Sequence, residues 1–133
     1  WTTLLAVEEE CLRQNKIHHV VVMVDLGDLR EGYWDKEEFV DVCVRVEKEL
    51  PHVHLAGVGV NLSCYGSTKP TPEKMNQLVT LAHRVEERIG RKLDVVSGGA
   101  TSSYTLVHWA TMRGNYSGMP LRLRIDSPSI WMV

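Results

Sequence analysis

The chain alternates between segments in which apolar residues have helical spacing and short runs that are apolar throughout. In residues 4–15 (LLAVEEECLRQN) the apolar side chains recur every three or four positions, which places them on one face of a helix. Residues 20–24 form a β-branched, almost wholly apolar run, which is typical of a short strand buried on both faces of a parallel sheet. The pattern therefore predicts a helix followed by a buried strand.

Capping residues predict where the next helices begin and end. Asp35, with Glu38 three positions further on, is a suitable N-cap for a helix that stops before Pro51. Thr71 predicts another helix start, because a proline follows it, and Gly90 is suited to the end of that helix. The other predicted elements are strands over residues 54–62, 93–97 and 121–125 and a helix over residues 101–113.

This order of elements predicts an α/β fold. The strands are short and a helix lies in each crossover, an alternation that implies parallel strands with helices outside them. About half of a (β/α)₈ TIM barrel would show this pattern, and so would a small doubly wound sheet. We expect residues 1–133 to form a single domain, because the sequence contains neither a low-complexity segment nor an interdomain linker.

Composition narrows the class of protein. The 133 residues are 44% hydrophobic and carry a net charge of −2, which is typical of a soluble globular domain and argues against a nucleic-acid partner. No apolar run is long enough to cross a bilayer and no signal peptide is recognisable, so we expect no membrane partner. Three cysteines without a CxxC pair favour reduced thiols and a cytoplasmic location.

Neither the histidines nor the cysteines predict a reactive centre. His52 and His54 would share one face of an extended segment, but no cysteine or carboxylate stands beside them at ligand spacing. We therefore expect no metal site. Cys64 has no obvious base nearby, so we do not expect it to be a nucleophile.

Functional groups in parallel α/β folds collect at the carboxyl ends of the strands. The first strand runs into a charged turn with two glycines (DLGDLREG, residues 25–32), from which Asp25, Asp28 or Arg30 could face a ligand. On spacing alone we favour a self-contained loop in which Arg30 pairs with a neighbouring carboxylate. Asn61, at the end of the second strand, fits equally well as a ligand contact or as a cap for loop backbone.

The third strand runs into the strongest local motif, SGGATSS (residues 97–103). Its glycines would let backbone N–H groups approach an anion closely, and Ser102 and Ser103 would add hydroxyl donors at a helix start. A phosphate site and an ordinary N-cap after a glycine turn both fit this motif. Arg124 lies in an apolar segment (LRLRID), and its guanidinium would need a partner if that strand were buried.

Three segments, in this order and at these separations, resemble the alanine/ornithine racemase family: HVVVMVDLGDLREG, HLAGVGVNLSCYGSTKPTPEKMNQL and LDVVSGGATSSYTL. The string VDLGDLREG is the most specific of them, and the resemblance covers roughly residues 10–125. It implies an internal fragment of an alanine racemase-type TIM barrel that binds pyridoxal 5'-phosphate (PLP). The implied parent protein is an isomerase that removes and returns the α-proton of alanine, ornithine or a similar amino acid.

The resemblance also implies roles for individual residues. Ser102 and Ser103 correspond to hydroxyls on the phosphate side of the cofactor, Arg124 to the arginine that faces its pyridine nitrogen, and Asn61 to a residue near its ring. The Schiff-base lysine of the family lies upstream of Trp1 in this pattern. No residue of the chain is therefore assigned a catalytic role, and the chain alone is expected to be inactive.

One departure from the family and two alternative functions stand beside this interpretation. Asp126 replaces a family glycine whose backbone approaches the phosphate, which sets a carboxylate beside that phosphate.

Half a barrel would expose two sheet edges, so we expect a homo-oligomer or a second chain that supplies the missing half. The alternatives are a non-catalytic PLP-binding or carrier protein of the same barrel and an unrelated α/β phosphate-binding module.

Overall fold

The computed structural model describes residues 1–63 and 68–99, together with the backbone pairing of residues 131–132. Helices and strands alternate through them in the predicted order. The elements are α1 (Thr2–Gln14), β1 (His18–Met23), α2 (Lys36–Glu49), β2 (Val53–Gly59), α3 (Pro72–Ile89), β3 (Val95–Ser97) and β4 (Trp131–Met132). The predicted helix over residues 101–113 and strand over residues 121–125 lie outside the described residues, and the sequence pattern did not predict β4.

The described strands form one parallel sheet in the order β3-β2-β1-β4. The last four residues of β1 are buried, which confirms the prediction of a strand covered on both faces. A Cβ added at Gly57 in β2 would lie 1.9 Å from the carbonyl oxygen of Val95 in β3. The glycine therefore permits a close approach of two backbones, as expected from the sequence.

The predicted caps are present at the helix ends. One carboxylate oxygen of Asp35 accepts hydrogen bonds from the backbone N–H groups of Glu37 and Glu38 at 2.9 and 2.8 Å. The hydroxyl of Thr71 accepts a longer bond, 3.4 Å, from the first turn of α3, and that helix ends at Gly90. These contacts fix where α2 and α3 begin, next to the carboxyl ends of the strands.

In the described residues, one hydrophobic core joins the helices to the sheet. Its fully buried side chains include Phe39 and Val46 of α2, Leu55 and Val58 of β2, and Leu78 and Val85 of α3. On the outside, α2 and α3 are linked by the ion pairs Glu37–Arg84 and Asp41–Arg88, and Glu47 of α2 pairs with Arg91 in the segment after α3. No helix in the described part of the chain is long and apolar enough to span a bilayer.

Candidate functional site at the carboxyl ends of the strands

The carboxyl ends of three strands are aligned. Met23, Gly59 and Ser97, the last residues of β1, β2 and β3, are partners in the registers of the two strand pairs. Because the strands are parallel, the segments that follow them leave the sheet at the same edge. We call this the carboxyl edge, and it comprises residues 24–35, 60–63 and 98–99. Ligand sites in parallel α/β folds are built at this edge.

The segment after β1 is a loop that turns back onto its own strand. The backbone N–H of Tyr33 donates to the carbonyl of Met23 at 2.9 Å, and that of Asp25 donates to the carbonyl of Tyr33 at 3.0 Å. Within the loop, Asp25 Oδ1 accepts from the backbone N–H of Gly27 at 2.7 Å. Gly32 has a φ of 95°, and a Cβ there would lie 2.8 Å from the Met23 carbonyl oxygen. The loop backbone therefore requires glycine at this position of the DLGDLREG string.

Two lysines and a threonine hold this loop from outside. The bonds run from Lys36 Nζ to the carbonyl of Asp25 at 2.6 Å, from Lys74 Nζ to that of Leu26, and from Thr68 Oγ1 to that of Gly27 at 2.7 Å. Burial lowers the pKa of Lys36, although the charges of Asp25 and Asp35 oppose this effect. Both lysines lie in the first turns of helices and not at a strand end. Their ammonium groups stabilise the loop by donating hydrogen bonds to its backbone carbonyls.

The side chains of Asn61 and Arg30, two candidate residues from the sequence, both contact Glu31. Arg30 Nε lies 3.5 Å from Glu31 Oε2, which agrees with the expectation that Arg30 pairs with a neighbouring carboxylate. Asn61 Nδ2 donates to Glu31 Oε1, and Asn61 is half-buried two residues beyond the end of β2. Asn61 therefore contacts a side chain from the adjacent loop.

A second contact joins the same two loops. Asp28 is buried and its Oδ1 accepts a hydrogen bond from the backbone N–H of Ser63 at 3.1 Å. Ser63 has a φ of 68°, an uncommon conformation for a residue with a side chain. Neither a role for Glu31 nor the contact of Asp28 with the second loop was predicted from the sequence. The available signal was the parallel pairing of β1 and β2, which makes the two loops neighbours.

The third loop is described only at its start. Gly98 and Gly99 follow β3, and Gly99 has a φ of 103°, which side chains disfavour. These residues present backbone without side chains at the carboxyl edge. Ser102, Ser103 and Arg124, predicted as cofactor contacts, lie outside the described residues, as do Cys64 and Asp126.

His52, His54 and Cys43 belong to separate local environments. His52 Nδ1 lies 2.8 Å from Glu8 Oε1, and His54 Nε2 lies 2.7 Å from Asp94 Oδ2, so the fold supplies carboxylates that sequence spacing does not reveal. In residues 1–63 and 68–99, no group of three or more histidine, cysteine or acidic side chains is arranged to hold a metal ion. Burial raises the pKa of the Cys43 thiol to about 12, so little nucleophilic thiolate forms at neutral pH.

The sequence places this arrangement in a known family. The family described as "Alanine racemase, N-terminal domain" matches residues 1–116. The chain belongs to this family. Within this alanine racemase N-terminal domain, the carboxyl edge is formed by the segments that carry the motifs VDLGDLREG and VNLS and the start of SGGATSS.

Two curated relatives of the domain are racemases. The chain is 38% identical over 105 residues to an ornithine racemase from Acetoanaerobium sticklandii, a match that covers 79% of this chain and 30% of that protein. It is 33% identical over 82 residues to a lysine racemase from Thermotoga maritima, covering 62% of this chain and 22% of that protein. The chain thus spans less than a third of the length of either relative.

A solved structure has the same fold. Alanine racemase from Clostridium difficile 630, in complex with cycloserine, matches with a TM-score of 0.58 and 18% identity. The match covers 77% of this chain and 28% of that one. Together with the parallel sheet and its outer helices, this likeness identifies the described part as a partial TIM barrel of the alanine racemase type.

Proposed function

We propose that the complete protein carrying this domain is a PLP-dependent amino-acid racemase that acts on alanine, ornithine or a similar small-molecule substrate. The observation that carries the proposal is the 38% identity over 105 residues to an ornithine racemase. The lysine racemase supports it, because its named substrate also ends in an amino group on an unbranched side chain. The domain would contribute the cofactor-facing side of the barrel.

The donor groups at the carboxyl edge fit PLP. Gly98 and Gly99 leave the end of β3 without side chains, and a phosphate is best held by unobstructed backbone N–H groups at such a position. Ser102 and Ser103 follow in the chain and would donate their hydroxyl groups to the phosphate oxygens. Asn61, two residues beyond the end of the adjacent strand β2, would lie near the cofactor ring.

The side chains of this domain would adjust the reactivity of the cofactor, and the cofactor itself would supply the electron withdrawal. When bound, PLP supplies electron withdrawal that acidifies the α-proton of an amino acid attached to it. The Arg124 guanidinium stays protonated at any working pH, so it would donate a hydrogen bond to the ring nitrogen and keep that nitrogen unprotonated. This limits the electron withdrawal and favours return of the proton over side reactions.

The carboxylate of Asp126 would repel the phosphate. Replacing Asp126 with glycine should therefore tighten cofactor binding.

The Schiff-base lysine, one of the two proton-transfer groups, is proposed to come from outside this chain. Racemisation requires an acid and a base on opposite faces of the α-carbon, and the family uses its Schiff-base lysine as one of them. In the described part of the chain, every lysine lies in a helix or in a segment between elements, and none is in a strand: Lys16, Lys36, Lys48, Lys69, Lys74 and Lys92. The 133-residue chain alone is therefore proposed to be inactive.

Reductive trapping tests both the cofactor and the origin of the lysine. The complete protein is incubated with PLP, reduced with borohydride and digested, and the modified lysine is located by mass spectrometry. We expect one pyridoxyl-lysine outside residues 1–133, and no specific adduct when the 133-residue chain is treated alone. A stoichiometric adduct on Lys36 or Lys74 would overturn the assignment of the lysine. Equal binding of nucleotides or sugar phosphates, without preference for PLP, would favour the unrelated phosphate-binding module.

We also propose that the remaining barrel strands come from the rest of the protein or from a second copy. In the part of the chain that the structure describes, β4 pairs with β1 through Trp131 and Met132. A strand edge with so little described pairing could accept a further strand. Sedimentation of the complete protein should give a homo-oligomer, and the 133-residue chain alone should associate as its concentration rises. A chain that stays monomeric at every concentration would contradict the half-barrel interpretation.

A further inference from the structure

Glu31 connects the first two loops of the carboxyl edge. Its Oε1 accepts a hydrogen bond from Nδ2 of Asn61, 30 residues further along the chain, and its Oε2 lies 3.5 Å from Nε of Arg30. The Glu31 side chain is 33% exposed, so water screens these electrostatic contacts only in part. From sequence alone, Asp25, Asp28 and Arg30 were the candidates in this loop, and Glu31 had no assigned role.

The chemistry of this pair fixes the direction of the Asn61 amide. An ionised carboxylate only accepts hydrogen bonds, whereas an amide has a donor end, Nδ2, and an acceptor end, Oδ1. Nδ2 must therefore face Glu31, whichever way the amide would otherwise turn. Oδ1 then faces away from Glu31 and is available to a ligand as an acceptor. A ligand group that contacts Oδ1 has to be a hydrogen-bond donor.

The backbone on both sides of this pair is held independently of Glu31. Asp28 Oδ1 accepts from the backbone N–H of Ser63, which ties the second loop to the first. Tyr33 returns the first loop to β1 through its backbone bond to Met23. Because these contacts do not involve the Glu31 side chain, its removal should free the amide of Asn61 to rotate without moving the loops.

We propose that Glu31 is a positioning residue of the racemase: by holding Nδ2 of Asn61, it presents Oδ1 as a hydrogen-bond acceptor to a donor group of the bound cofactor or substrate. This inference rests on the proposed function. The donor is either the hydroxyl group on the cofactor ring or the amino group of the amino acid. The two sources are separated by measuring the affinity for PLP and the KM for the amino acid in the same variants.

A pair of complementary substitutions tests the inference in the complete protein. In Glu31→Gln the new side-chain amide can either donate or accept a hydrogen bond, so the Asn61 amide can take either orientation. Asn61→Asp places a carboxylate against Glu31 and leaves no donor between them. The double variant restores a hydrogen bond with its polarity reversed, because the new amide donates to the new carboxylate and an oxygen again faces the ligand. Glu49→Gln, which breaks an exposed ion pair with Arg45 on α2, is the control.

We expect a graded result. Asn61→Asp should weaken PLP binding or raise KM by about tenfold or more, because repulsion between its carboxylate and that of Glu31 displaces the oxygen that faces the ligand. Glu31→Gln should cause a smaller loss of a few-fold, and the double variant should bind and react better than Asn61→Asp alone. Glu49→Gln should change nothing. A double variant no better than Asn61→Asp would overturn the inference, and so would a Glu31→Gln protein with wild-type PLP affinity and KM.

A spectroscopic measurement tests the contact without reference to activity. In protein labelled with nitrogen-15 asparagine, the side-chain amide signal of Asn61 is the one that disappears in Asn61→Asp. We expect this signal to lie at a different chemical shift in Glu31→Gln, because its hydrogen-bond partner changes from a carboxylate to an amide. An Asn61 amide signal at the same position in both proteins would show that Glu31 does not hold the amide.

The two proposals fail in different ways. If the wild-type protein binds PLP but interconverts no amino acid, the racemase function is wrong, while the pattern of PLP affinities and amide signals still tests Glu31. If the wild-type protein racemises amino acids and the Glu31 variants show neither the kinetic nor the spectroscopic pattern, the inference about Glu31 is wrong and the function stands.

Discussion

Glu86 shows how one buried carboxylate can fasten the end of a helix to the strand that follows. It is 6% exposed and accepts hydrogen bonds from the backbone N–H of Leu93 at 3.0 Å and from Lys92 Nζ at 2.8 Å. His83 Nδ1 lies 3.3 Å away. Burial pushes the pKa of Glu86 up, but the bonds from Lys92, Leu93 and His83 together outweigh it, so the pKa lies below its ordinary value.

This lowered pKa predicts a dependence of stability on pH. A carboxyl whose pKa is depressed in the folded state contributes stability that is fully present above its ordinary pKa of 4.5 and is lost as the pH falls through the folded-state value. Urea unfolding of the wild type and of Glu86→Gln should therefore give free energies that differ at neutral pH and converge in acid. A difference that stays constant down to about pH 3 would contradict this assignment.

Gly57 and Gly90 differ in what an added side chain would contact, so alanine at these two positions should reduce stability by different amounts. Alanine at Gly57 would meet the Val95 carbonyl oxygen at 1.9 Å, so β2 and β3 would have to separate, at a cost of about 3 kcal/mol. Gly90→Ala meets nothing within 4 Å and bears only the strain of a φ of 75°, about 1 kcal/mol. Chemical denaturation of both variants measures the difference. Equal losses would mean that the two strands are not in close contact.

At the scale of secondary structure elements, α2 combines a strong local start with weak lateral links. Asp35 accepts two backbone hydrogen bonds at the beginning of the helix. The ion pairs between α2 and α3 are exposed and should contribute little. The position of α2 therefore depends on its cap and on buried residues such as Phe39, and this position sets Lys36 against the first loop of the carboxyl edge.

The cap of α2 gives a prediction at this scale. Asp35→Ala should lower the free energy of unfolding by about 1 kcal/mol, because two backbone N–H groups lose their acceptor. Asp35→Asn keeps an acceptor oxygen in the same place and should retain most of the stability. Denaturant unfolding of the two variants compares them. An Asn variant as unstable as the Ala variant would mean that charge, and not the hydrogen bonds, is the important property.

Elements were predictable from sequence where their signals are local. The caps at Asp35 and Thr71 and the apolar run of β1 each lie within one stretch of chain, and the structure confirms them. The contact between Glu31 and Asn61 was not predictable, because it depends on the pairing of β1 with β2 and not on sequence spacing. Residues 131–132 were not recognised as a strand, because two residues carry no periodic pattern.

At the scale of the whole molecule, the described residues form a parallel sheet with its polar loops gathered at one edge. The likeness to alanine racemase, at a TM-score of 0.58, covers 28% of that chain, so much of a barrel lies beyond what this chain matches. The family resemblance identified the fold and the candidate cofactor residues. The loop contacts of Glu31, Asp28 and Lys74 became visible only in three dimensions.

Interconversion of enantiomers is the direct test of the proposed racemase function. The complete protein, supplied with PLP, is incubated separately with each enantiomer of alanine, ornithine and lysine, and the products are resolved by chiral chromatography. We expect that, for at least one amino acid, both starting enantiomers converge on the same mixture of the two forms. Protein that binds PLP but returns every enantiomer unchanged would contradict the racemase function and leave a non-catalytic PLP-binding barrel.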